Sequence, residues 1–68
     1  MNRAYISKLR KLYTNKTICL IQMDEFHAPA PGTLGKCIKV DDAGQLIMRW
    51  DNNSSLSLIP GIDKFVIV

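Results

Sequence analysis

The chain has 68 residues, 47% of them hydrophobic, and a formal net charge of +3. This length holds one domain at most, with a core too small to leave a wide margin of stability, and the composition argues against disorder. No apolar run approaches the roughly 20 residues that cross a bilayer, and the basic N-terminus is not followed by an apolar stretch and cleavage site. A soluble protein without a membrane role or secretory signal, resident in the cytoplasm, is therefore expected.

The charge is unevenly spread. Arg3, Lys8, Arg10, Lys11 and Lys16 occupy the first 17 residues with no acid among them, while residues 18–68 carry four cations against six acids. A basic segment on a near-neutral body points to contact with something anionic.

Residues 4–13 read as a helix. At 100° per residue Tyr5, Ile6, Leu9, Leu12 and Tyr13 share one arc, and Arg3, Lys8, Arg10 and Lys11 lie on the other side. Asn2 suits the N-cap, and cations in the last turn suit the negative end of the helix dipole. About three turns do not hold alone, so the apolar arc must pack on something. Either it covers the open end of a barrel and the cations are only solvated, or the cations line a binding surface. Asn15 can take the left-handed conformation that ends helices.

Residues 17–23 form the first strand. Its run of Ile18, Cys19, Leu20, Ile21 and Met23 predicts burial on both faces, with the helix on one of them. Residues 24–31 (DEFHAPAP) are irregular. Pro29 and Pro31 favour extended geometry, and a loop this long in so small a domain is often functional. Phe26 and His27 stand at its centre: Phe26 either tucks inward or offers a stacking surface, and His27 has no second ligand at metal-binding spacing.

Residues 35–40 form the second strand, Asp42-Ala43-Gly44 a turn with Gly44 at positive φ, and residues 45–50 the third strand. Leu46, Met48 and Trp50 share one face of it, Ile47 and Arg49 the other. Asp51-Asn52-Asn53 make the next turn. Residues 54–59 form a fourth strand with Leu56 and Leu58 inward. Pro60-Gly61-Ile62-Asp63 suit a turn or one turn of 3₁₀ helix, and residues 65–68 are a last short strand. The sum is a mainly β, SH3-like five-stranded barrel with an N-terminal amphipathic helix, in one domain spanning residues 1–68. An OB-like barrel is the competitor, but it needs a longer chain.

Gly32-Thr33-Leu34-Gly35, Val40-Asp41-Asp42-Ala43-Gly44, Trp50-Asp51-Asn52-Asn53-Ser54 and Gly61-Ile62-Asp63 together resemble domain of unknown function 4314. That small family is met in bacteria and in their phages and mobile elements. Leu9-Arg10-Lys11-Leu12-Tyr13 and Met23-Asp24 extend the likeness over nearly the whole chain. Asn53 and Asn15 stand where that family commonly has Gly, exchanges that keep access to positive φ. The resemblance implies the fold and a phage or mobile-element setting. It carries over no catalytic motif.

Chemistry is sparse. The acids come as Asp24-Glu25 and Asp41-Asp42, and strand neighbours point to opposite faces, so neither pair makes a carboxylate dyad; acids beside turns more simply cap backbone amides. Gly32-x-x-Gly35 lacks the Lys-Ser/Thr and helix of a phosphate loop. Cys19 and Cys37 match no zinc spacing and read as small buried hydrophobes, with a disulfide open only if their strands are neighbours with matching side-chain directions. No metal, cofactor or catalytic residue is expected.

Three functions follow. The first is a non-enzymatic binder of an anionic small molecule, a nucleotide signal or nucleic acid, sequestering it to counter host defence, with candidate residues Arg3, Lys8, Arg10, Lys11, Phe26, His27, Arg49 and Trp50. Trp50 is either core or a pocket wall, with Lys36, Lys39 and Arg49 as neighbouring charge. The second is a module that binds or inhibits a host protein along a groove or strand edge. The third is an enzyme, which would require Asp41, Asp42 or His27 to converge. The bare apolar end Phe65-Val66-Ile67-Val68 must pair within the barrel or with another subunit, so a homo-oligomer is expected.

Overall fold

The computed structural model describes residues 2–68. It comprises one helix, α1 (Arg3–Tyr13), and four strands, β1 (Thr17–Gln22), β2 (Leu34–Val40), β3 (Leu46–Trp50) and β4 (Lys64–Ile67). The strands form one antiparallel sheet in the order β3-β2-β1-β4. The fold is mainly β, as expected, with one N-terminal helix and four antiparallel strands in a sheet that is not closed and has an open edge at β4. Among the described residues no helix is long and apolar enough to cross a membrane.

α1 starts where the sequence places a cap: Asn2 Oδ1 accepts hydrogen bonds from the backbone N–H of Ala4 (2.7 Å) and Tyr5 (3.3 Å), satisfying donors that the first turn leaves without partners. It is capped at Thr14, whose N–H donates to Arg10 O, and Asn15 just beyond takes φ 65°. Of the apolar arc, Ile6 and Leu9 are buried, Tyr13 packs at the core margin, and Tyr5 and Leu12 are exposed. The helix is tied to β2 rather than to β1. Asn15 N donates to Cys37 O (2.8 Å), Cys37 N donates to Lys16 O (3.0 Å), and Arg10 Nε donates to Val40 O (3.1 Å).

The first strand corrects its expectation. Ile18 and Leu20 point inward and are fully buried, whereas Ile21 is exposed. Only one face is covered, and a bulge beyond Leu20 ends the regular ladder. The core is the inner face of the sheet under α1: Ile18, Leu20, Cys37, Val40, Leu46, Met48, Trp50 and Leu58 join Ile6 and Leu9. Gly35 faces Trp50 across the β2–β3 pair. A Cβ on Gly35 would lie 2.5 Å from Trp50 Cε3, so the bare backbone is what lets the indole lie flat on β2.

Both hairpin turns after β2 and β3 are built alike. Asp41 N donates to Gln45 O and Gly44 N to Asp41 O, with Gly44 at φ 81°. Trp50 N donates to Ser54 O and Asn53 N to Trp50 O, with Asn53 at φ 69°. Each is a three-residue loop whose last residue is left-handed, and Asn53 does in the second what Gly44 does in the first.

The expected fourth strand is the second correction. Of residues 54–59 only Leu58 joins the sheet, exchanging two 2.9 Å hydrogen bonds with Leu46 on the outer edge of β3. The carbonyl of Leu56 is taken instead by the Trp50 indole N–H (2.9 Å), which pulls the chain out of a regular ladder. Residues 59–63 form the expected turn. Gly61 sits at φ 90° and Asp63 Oδ2 accepts from Ile59 N (2.8 Å).

Candidate functional site

The basic helix face is split by the way α1 lies on the sheet. Arg3 and Arg10 are seven residues apart, nearly two turns, and so fall on one flank. That flank looks onto the β2–β3 turn. Arg3, Ile6, Arg10 and Asp42 line a depression there of about 350 Å³. Arg10 is held in place by two bonds at once, Nε to the Val40 carbonyl and Nη2 to Asp42 Oδ1 (2.9 Å). Arg3 makes no ion pair with any described residue. Asp42 is fully solvent-exposed and half of Arg10 is too, so their pair is a weak, openable contact. No acid stands in the first turn of α1. The dipole therefore opposes the Arg3 charge with nothing to balance it.

Lys8 and Lys11 are exposed on the outer side of α1 and do not line this notch. The remaining candidates are not brought to it either. Phe26 and His27 occupy the centre of a turn closed by Ala28 N to Glu25 O (3.0 Å). Their rings pack edge to face, with centroids 4.9 Å apart. Phe26 is 93% exposed, so it does not tuck into the core.

Arg49 points from the outer face of the sheet, directly across from Lys36. It borders a separate depression with Ile38, Ile47 and Asn53. Trp50 is 1% exposed and its only polar side-chain atom donates to the Leu56 carbonyl. It is core, as its alternation with Leu46 and Met48 predicts, and offers no wall to a ligand.

The sequence reading did not connect Asp42 and Ile6 with the helix cations. The residues themselves are ordinary; the link depends on a contact that spans 32 positions. Asp41 does what an acid beside a turn is expected to do, its Oδ1 accepting from Ala43 N (3.0 Å) and Gln45 N (2.8 Å). Asp41, Asp42 and His27 thus each have a separate local role.

Both cysteines are free. Cys19 stands on the outer face opposite Leu34, and Cys37 on the inner face opposite Met48. Their directions do not match, and this excludes a bridge between them. Burial pushes the Cys37 thiol above its ordinary value, a backbone hydrogen bond at Lys39 opposing by less. It is a neutral packing group. Among the described residues no cluster of three or more His, Cys, Asp or Glu side chains could hold a metal ion.

No curated protein and no solved structure matches the chain. The paired turns with a left-handed third residue, the Gly35 step beneath Trp50 and the capped turn ending at Asp63 are the places where the family-like sequence segments lie. A family model spans all of them, from residue 2 to residue 68, and the chain belongs to that family, Domain of unknown function (DUF4314).

Proposed function

We propose that this protein binds a small phosphorylated anion, a nucleotide in size and charge, in the notch between α1 and the β2–β3 turn, without transforming it. The observation that carries the reading is the convergence of Arg3 and Arg10 on one depression floored by Ile6. Its volume falls in the range of small-ligand sites. Arg10 is pre-positioned by the Val40 carbonyl, so ordering it on binding costs little. An anion there replaces Asp42 as the partner of a guanidinium fork and also offsets the unbalanced Arg3 charge near the helix start.

A small anion fits this geometry better than a nucleic acid. A polyanion contact draws on a row of cations along one face, and here Lys8 and Lys11 do not line the depression that Arg3 and Arg10 share. In a phage or mobile-element setting, the use of such a site is sequestration of a host signalling nucleotide from the bacterial cytoplasm. The fold reading that goes with this is a small SH3-like barrel, in which the Leu46–Leu58 bridge is the remnant of the fifth strand.

The test is calorimetric titration with pyrophosphate and with a panel of mono- and cyclic nucleotides at low salt. Arg3→Ala and Arg10→Ala are each expected to weaken binding about tenfold, Asp42→Asn to strengthen it, and Lys8→Ala to leave it unchanged. Absence of binding by the unmodified protein rejects the proposal. Equal losses from Lys8→Ala together with a steep salt dependence replace it with nucleic-acid binding.

A further inference from the structure

β4 is an edge strand whose inner neighbour is β1. Val68 N donates to Thr17 O (3.0 Å), so Thr17 and Val68 form a hydrogen-bonded pair of the antiparallel ladder. Such pairs alternate with non-bonded ones. Cys19–Val66 is therefore the next bonded pair, and the N–H and C=O groups of Phe65 and Ile67 point away from β1. They form a row of free donors and acceptors on the outer edge. No described residue hydrogen-bonds to them.

The strand does little to protect that edge. Natural edges are blunted by charges, prolines, bulges or a covering segment. Lys64 is the only charge in β4, no proline interrupts it, and the bulge in the β1–β4 pair lies beyond Leu20, outside the stretch 65–67. Val66 is 47% and Ile67 45% exposed. On the outer face Leu34, Cys19 and Val66 stand directly side by side across β2, β1 and β4, an apolar rung that runs to the edge and stops there.

We infer that the edge is the contact for a second copy of this chain, β4 against β4 in antiparallel register about a two-fold axis at Val66. The choice of a second copy rests on self-complementarity. With the axis at Val66, Phe65 of one copy falls opposite Ile67 of the other. These are the two residues whose backbone groups are free, so each exchanges both its bonds and no polar group of the stretch 65–67 is left over. The two Val66 side chains meet as a non-bonded pair, whose Cα atoms approach to about 4.5 Å. The apolar rung then continues without a break from Leu34, Cys19 and Val66 into the same three residues in reverse order. An isologous contact of this kind closes after two copies and leaves no new edge for a third.

Three variants test this, with mass measured in solution over a wide concentration range. Ile67→Pro removes an outward N–H without touching the bonds to β1, and is expected to raise the dimer dissociation constant about tenfold or more. Ile67→Ala trims the side chain but keeps that N–H, and is expected to dissociate far less. Val66→Cys in a Cys19→Ser background places two thiols across the axis at a separation a disulfide can span, so mild oxidation is expected to give a covalent dimer. This last result stands even if the proline variant fails to fold. An unmodified protein that is monomeric up to millimolar concentration overturns the inference and leaves the edge to a strand of another protein. A dimer that neither weakens in Ile67→Pro nor cross-links through Val66→Cys overturns it as well.

Discussion

The sheet has two edge strands of similar hydrophobicity and opposite fate. In β3 the inward residues Leu46, Met48 and Trp50 are almost wholly buried, and the outer edge is met by Leu58 through a pair of hydrogen bonds. In β4 only Phe65 reaches the core margin, edge to face with Tyr13 at 5.5 Å, while Val66 and Ile67 stay half exposed. The chain after β3 folds back along its edge and supplies both a rung and an acceptor for the indole. β4 has only β1 as a hydrogen-bonded neighbour. Burial on these two strands is decided by which other segment returns to them, and not by their own apolar content.

Three substitutions break or sharpen that contrast. Leu58→Ala empties a fully buried position on the returning segment and is expected to cost about 3 kcal/mol. At this chain length that lowers the melting temperature by well over 10 °C, with roughly 4–8 °C lost per kcal/mol. A melting curve within a few degrees of the unmodified protein would show that the segment does not seal β3.

Gly35→Ala drives a methyl into the Trp50 ring and the Arg49 carbonyl. The expected cost is about 2 kcal/mol, from overpacking. Urea unfolding measures it, and tryptophan fluorescence reports whether the indole has been displaced.

Val66→Thr acts on the other edge. In dilute protein, where each chain is alone, its effect is expected to stay within about 0.5 kcal/mol, because the side chain is half in water already. A cost near that of Leu58→Ala would mean that β4 is as well packed as β3, and the contrast would be lost.

Much of this was legible in the residues. Asn2 before an apolar arc, the two turn sequences ending in Gly44 and Asn53, and the alternation of Leu46, Met48 and Trp50 each correspond to one local physical device, and each is found where it was read. Three things were not legible, for three different reasons. The continuous run Ile18 to Ile21 carries no alternation, so nothing in it says that Ile21 faces water. The run from Ser54 to Ile59 alternates like a strand, yet the Trp50 indole competes for the Leu56 carbonyl and wins. The notch depends on Arg10 reaching Asp42, a meeting set by how α1 lies across β2, and periodicity within a helix does not encode that.

Asn53 also bears on how the protein ages. Backbone succinimide formation at an asparagine is fastest when the next residue is glycine, because a bare amide nitrogen attacks the side-chain carbonyl most freely. With glycine at position 53, Asn52 would sit in such a step inside an exposed turn. Asparagine there keeps the left-handed geometry that closes the loop at φ 69°, accepting some backbone strain. It also places a side chain beside the attacking nitrogen. The turn thus gives up a little conformational ease and avoids an Asn-Gly step.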